Sequence, residues 1–96
     1  MAEALSKLQK NCISALRLSE ASAEALIEEI NLHIGIARAD MVRSGVAVEV
    51  AEDEDNMLSS NVIVKYVTSQ MASAESERDK AMAYYKICLD ELRRSL

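Results

Sequence analysis

Apolar side chains recur along this chain mostly at intervals of three and four residues, the spacing that gathers them on one face of an α-helix. Leu5, Leu8, Cys12, Ala15 and Leu16 form such a stripe and predict a first helix over residues 2–16, with Glu3 and Lys7 paired on its surface in the favourable order. The segment 17–22 breaks the pattern. Ser19 or Ser22 can cap the next helix there by accepting from free backbone N–H groups. Ala23, Leu26, Ile27, Ile30, Ile34, Ala37 and Met41 then keep helical spacing over a long run, with Glu24, Glu28, Asn31, Arg38 and Arg43 on the polar side. Gly45 stands where a left-handed terminating residue belongs. Leu32 and Ile36 fall outside the main stripe, which predicts burial of this helix on more than one side, between helices or against another subunit. Gly35 interrupts the run at a cost of about 1 kcal/mol relative to Ala. A bend, a close backbone approach or no role at all are its three readings.

From Val46 to Val50 the order V-A-V-E-V alternates and is rich in β-branched residues, so a short extended segment is allowed. A lone strand leaves its N–H and C=O groups without partners, so it would need a neighbour, for which a second chain is one source. A third helix is predicted from about Asp55 to Met71, with Leu58, Val62, Ile63, Tyr66, Val67 and Met71 inside, and a fourth from about Glu75 to Arg94, presenting Ala81, Met82, Tyr85, Cys88, Leu89 and Leu92. Lys86 with Asp90 and Asp90 with Arg94 are helical neighbours, and Arg93 and Arg94 sit at the end that prefers cations. The expected fold is all-α: one domain, residues 1–96, a small bundle of about four helices with one long central helix and the short extended segment near residues 46–50.

Composition narrows the picture. With 96 residues there is room for a single core, and half of the side chains are apolar, too many for a disordered chain. Phe and Trp are absent, so that core must come from Leu, Ile, Val, Met and Ala; the absence of Pro and the presence of only two Gly argue against many short strands. A formal charge of -5 repels a phosphate backbone unless basic residues gather on one face, and in the sequence they do not. Apolar runs are far shorter than the ~20 residues that span a bilayer, and the first residues lack a signal-peptide pattern. The expectation is a soluble protein made in the cytoplasm, with no membrane partner. Cys12 and Cys88, far apart and without a CxxC motif, read as reduced, buried thiols.

Candidate chemistry is sparse. The run Glu52-Asp53-Glu54-Asp55 invites a calcium loop, but counting from Asp53 puts Met57 at the fifth position, Leu58 where glycine is required and Val64 where the bidentate Glu is required. The remaining reading is the solvated start of the third helix, whose dipole the acids favour. His33 is the sole histidine, so no His-based metal set can form, and it reads as packed or partly exposed; neither a nucleophile elbow nor a phosphate-cradling glycine loop is present. No catalytic residue, metal site or cofactor is expected. A DNA-reading helix would be basic, whereas the third helix carries only Lys65 and the pair Arg93-Arg94 is explained by a helix C-terminus. Of Tyr84 and Tyr85, one is expected in the core and the other on the flank.

The order of segments nevertheless resembles a family. A long helix ends in Ala37-Arg-Ala-Asp-Met-Val-Arg-Ser-Gly45-Val46, an acidic loop follows, then Leu58-Ser-Ser-Asn-Val-Ile-Val-Lys-Tyr-Val67, then a last helix with Tyr84-Tyr85-Lys-Ile-Cys-Leu-Asp-Glu-Leu92. This is similar to the small head-tail connector (adaptor) proteins of tailed bacteriophages over residues 16–95, with Tyr85, Leu89 and Leu92 matching the last element at one altered spacing. The absence of proline, the scarcity of aromatics and a longer first helix depart from the family. The resemblance implies a helical, non-enzymatic subunit located in the virion at the head-tail interface. It would form a homo-oligomeric ring of roughly twelve copies, closed head-to-tail by rotation. That ring would sit under the portal protein, extend the channel through which genomic DNA passes without specific binding, and receive the tail or a tail-completion protein. Leu32, Ile36, Val46, Val48 and Val50 are the expected oligomer contacts. The alternative is a small helical DNA-binding regulator or DNA-packaging protein with a basic face created by folding.

Overall fold

The computed structural model describes residues 5–95. Within them the chain forms α1 (Lys7–Leu16), α2 (Glu20–Arg43), α3 (Val48–Ala51), α4 (Met57–Met71) and α5 (Glu75–Arg94), with no strand among the described residues. The all-α expectation is met, with one helix more than the apolar pattern gave.

Each boundary has a local cause. Ser6 opens α1 through a reciprocal cap: its hydroxyl accepts from the Gln9 N–H at 3.1 Å, and the Gln9 side chain accepts from the Ser6 N–H at 2.8 Å. The pattern predicts a start at residue 2, but Leu5 and Ser6 are not helical and the cap sets the start at Lys7; residues 2–4 and the Glu3–Lys7 pair lie outside the described residues. Arg17 closes α1 in the left-handed region at φ 55°, so that the Leu18 N–H reaches the Ile13 carbonyl at 3.2 Å. Ser19 rather than Ser22 caps α2, accepting from the Ser22 N–H at 3.2 Å. Gly45 ends it at φ 106°, with its own N–H donating to Val42 and the Val46 N–H donating to Met41, both at 3.0 Å.

That last turn overturns the extended reading of residues 46–50. Folding back over the end of α2 buries Val46 to 2 % exposure in the same apolar cluster as Met41. The next residues then coil into the one-turn helix α3, which buries Ala51 and half-buries Val50 against the core. Arg38 of α2 donates from Nε to the Ala51 carbonyl at 3.1 Å. The Val46 N–H donates to Met41, those of Val50 and Ala51 donate to Ala47, and that of Glu52 donates to Val48, so the segment pairs backbone groups within the chain instead of along a strand.

The long helix α2 is not the centre of the bundle; α4 is. It packs against α1, α2 and α5. Its fifteen residues carry a single charge, Lys65, and it buries Ser59, Ser60, Val62, Ile63, Val67 and Ser69 around its circumference. Leu58, expected inside, is 37 % exposed, in the first turn of the helix. Asn56 caps α4 by accepting from the Ser59 N–H at 3.0 Å, and Arg78 of α5 closes the α4–α5 turn by donating to the carbonyls of Ala72 and Ser73. The core joins Leu8 and Cys12 of α1, Ile30, Ile34, Ala37 and Met41 of α2, the α4 residues Val62, Ile63 and Val67, and Tyr85 and Leu92 of α5. The result is a flattened body of 38 × 31 × 18 Å.

Candidate interaction surfaces

The acidic run is structural, but it serves a different helix from the one it precedes. No acid lies in the first turn of α4. Instead the Glu54 carboxylate accepts from the Leu8 N–H at 2.9 Å, at the open start of α1, and the Lys7 ammonium lies 3.4 Å from Asp55. The dipole that favours the acids is that of α1. Asp53 turns the loop by accepting from the Asp55 N–H at 3.0 Å, and the Ser60 hydroxyl donates to the Glu54 carbonyl at 3.0 Å. Glu49 and Glu52 point to solvent without any such partner. Among the described residues no three His, Cys, Asp or Glu side chains converge as a potential metal set.

The nucleophile candidates are muted by burial. Cys12 is fully enclosed, which pushes its thiol up to about 12, whereas Cys88, also expected to be buried, is only half-buried; burial and Glu91 raise it against an opposing effect of Lys65. His33 is half-buried, its ring 6.3 Å from that of Tyr66, and its Nδ1 has no hydrogen-bond partner. Tyr66 in turn meets Tyr85 edge-on at 5.2 Å, and the Tyr85 hydroxyl donates to Asp40 at 3.5 Å. Tyr85 is the core tyrosine and Tyr84 the exposed one.

The five residues expected at an interface divide. Leu32, Ile36 and Val48 stand outward, at 59 %, 38 % and 48 % exposure; Val46 is consumed by the core and Val50 is half-buried against it. Met57, Tyr84 and Ile87 are also exposed apolar side chains. Tyr84 is the flanking tyrosine of the expected pair; Met57 at the first position of α4 and Ile87 off the α5 stripe carry signals in the sequence that the expected contacts do not include.

Folding also assembles a basic groove that no linear scan contains. The end of α1, the middle of α4 and the first half of α5 border a shallow, open depression of about 270 Å³ lined by Ala15, Arg17, Lys65, Thr68, Glu77, Lys80, Ala81 and Tyr84. The Lys65 ammonium lies 5.6 Å from the centroid of the Tyr84 ring. Among the described residues none of Arg17, Lys65 and Lys80 has a carboxylate within salt-bridge distance; the pairs present are Lys7–Asp55, Arg43–Asp40 and Arg94–Asp90. Basic residues scattered in sequence are therefore gathered in space.

Fold and surface together define a small all-α bundle whose outward chemistry is a set of apolar side chains and one cationic groove. No helix among the described residues is long and apolar enough to cross a membrane. Comparison with protein-family models, with curated proteins and with solved structures finds no match to this chain.

Proposed function

We propose that this chain is a structural subunit that assembles with copies of itself into a ring at the head-tail junction of a tailed bacteriophage. Beneath the portal, the ring extends the DNA channel and docks the tail or a tail-completion protein. The observation that carries the reading is the outer face of α2, where Leu32 and Ile36 stand exposed one turn apart. Beside them, Gly35 has open space where a Cβ would be. Apolar surface of this kind is stabilised by a covering partner, and a helix glycine lets a partner backbone come close. Further outward apolar groups lie on α3 and α5, so two different patches are available, as a head-to-tail ring requires. The segment order of the phage adaptors supplies the context, and a net charge of -5 lets DNA slide past instead of sticking.

The test mixes purified protein with DNA-filled heads that carry the portal of the same phage. Wild type is expected to co-sediment, and Leu32→Asp with Ile36→Asp to remain in the supernatant with an unchanged helical circular-dichroism spectrum. A wild-type chain that stays monomeric when concentrated and ignores portal-bearing heads would sink the reading. The second reading, a DNA-binding regulator or DNA-packaging protein, draws on the cationic groove. Retention of duplex DNA that falls steeply with salt, and is abolished by Lys65→Glu with Lys80→Glu, would favour it.

A further inference from the structure

We infer that the Arg17–Lys65–Lys80 groove receives the outward acidic face of α3, Glu49 and Glu52, from a second copy of this chain. The inference rests on the reading of the chain as a self-assembling subunit and specifies which two surfaces meet.

Three observations combine. First, the groove concentrates three cations that have no salt-bridge partner among the described residues, in a chain whose formal charge is -5, so the abundant complementary surface is that of another copy. Second, Glu49 and Glu52 lie three residues apart at α3 and its C-cap, exposed, with Val48 exposed beside them, while Glu54 and Asp55 are engaged at the start of α1. The acid surface thus pairs carboxylates with an aliphatic side chain, and the groove pairs ammonium groups with the Tyr84 ring. Third, the two surfaces cannot meet within one chain. The acidic loop is tied to the first turn of α1, whereas Ala15 and Arg17 line the groove at its other end, about 15 Å away for ten helical residues. A contact between copies then joins two unlike patches, with each subunit giving one and receiving the other. Duplex DNA fits the groove less well. It would have to approach the rest of an acidic surface, and Glu77 lies in the groove wall.

The test uses charge reversal, read by sedimentation velocity at low and high salt. Wild type is expected to self-associate, more weakly as salt screens the exposed pairs. Lys65→Glu with Lys80→Glu, and separately Glu49→Lys with Glu52→Lys, should each weaken self-association about tenfold or more. An equimolar mixture of the two variants, or all four substitutions in one chain, should restore it, because every groove then meets an oppositely charged face. Circular dichroism of each variant verifies the helical fold, and the four-substitution chain guards against simple misfolding. Wild-type association that neither reversal weakens, or a four-substitution chain that folds but stays dissociated, overturns this contact and leaves self-assembly standing. Wild type that never associates overturns both. Salt-sensitive capture of duplex DNA that the groove reversal alone abolishes, with association intact, assigns the groove to nucleic acid instead.

Discussion

Gly35 offers a sharp test of how α2 is used. It sits in the middle of a 24-residue helix, on the solvent side, and a Cβ built there meets nothing within 4 Å. Its backbone is helical with no left-handed φ, so alanine fits without strain. Replacing it removes the conformational freedom that glycine gives the unfolded chain and gains about 0.8–1.0 kcal/mol of helix propensity. No clash or lost contact within the chain offsets that gain. For a domain of this size, with a urea slope of roughly 1 kcal/mol per molar, the midpoint should rise by about 1 M. In a thermal scan the same gain corresponds to about 4–8 °C. The assay is equilibrium urea unfolding followed by circular dichroism, at a concentration low enough to keep the chain dissociated.

The same variant has a second readout in assembly. If a neighbouring backbone packs over the Leu32–Ile36 face, the added methyl group holds it off, and Gly35→Ala gains stability as a single chain while losing affinity for its copies. Stability and assembly then move in opposite directions, which a purely structural role for the glycine does not produce. An unchanged or lowered midpoint in the dissociated chain would refute the reasoning at its root, because it would mean that residue 35 is packed inside the subunit.

The other predictions concern the ends of helices and one buried hydroxyl. Arg17→Gly relieves a left-handed arginine and should raise stability by about 0.5–1 kcal/mol in urea unfolding, while also removing a groove cation and weakening self-association. Glu54→Ala removes the carboxylate that accepts from the Leu8 N–H, and should cost about 1–2 kcal/mol, with faster hydrogen exchange at Leu8. Burial first, then the Asp40 carboxylate, pushes the Tyr85 hydroxyl up from 10.0 to about 12. The folded state therefore holds that proton more tightly than the unfolded state does. The associated stability is complete below pH 10 and is lost as pH rises toward 12. Tyr85→Phe should flatten the unfolding midpoint across that window relative to wild type. The decline that begins near pH 9 should persist in the variant, because Cys12 is raised from 9.0 to about 12 in the same direction.

Much of the helical framework was legible because its signals are local. Helix α5 runs from Glu75 to Arg94 as its spacing predicts, and Ser19 and Gly45 bound α2 through backbone groups only a few residues away. The extended reading of V-A-V-E-V failed because alternation is an incomplete signal over so few residues. Val46 was already committed to closing α2, and α3 lets Ala51 and Val50 reach the core. The centre of the bundle was misassigned for a related reason. Surplus apolar residues on α2 look like many-sided burial, but the near absence of charge on α4 is the stronger sign, and it is α4 that three helices enclose. The acidic run was read against its nearest neighbour in sequence, when its partner, Leu8, is 46 positions away. The cationic groove draws on three helices and carries no trace in any window of the chain.

These misreadings bear on function through one geometric consequence. Because α4 takes the middle of a body only 18 Å thick, α2 and α5 each bury one side on it, and the further packing of α2 with α1 and α3 still leaves part of its surface outward. Leu32 and Ile36 on α2 and Ile87 on α5 stay exposed, while Tyr84 of α5 lines the groove beside Lys65 of α4. Helix α3 packs with α2 and carries Val48 and the free glutamates, whereas the groove cations accompany α5. The chain therefore holds an apolar and acidic flank on one set of elements and an aromatic and basic flank on another. A two-fold dimer satisfies the charged groups only where both flanks of each subunit share a single interface, each meeting the opposite flank of the other copy. Rotation about an axis that brings each α2–α3 flank onto the next α5 flank satisfies both the apolar and the charged groups, and repeating it generates a ring. On the proposed reading, the reciprocal reversal experiment tests the charged contact, and the size of the species in sedimentation velocity separates a pair from a closed ring.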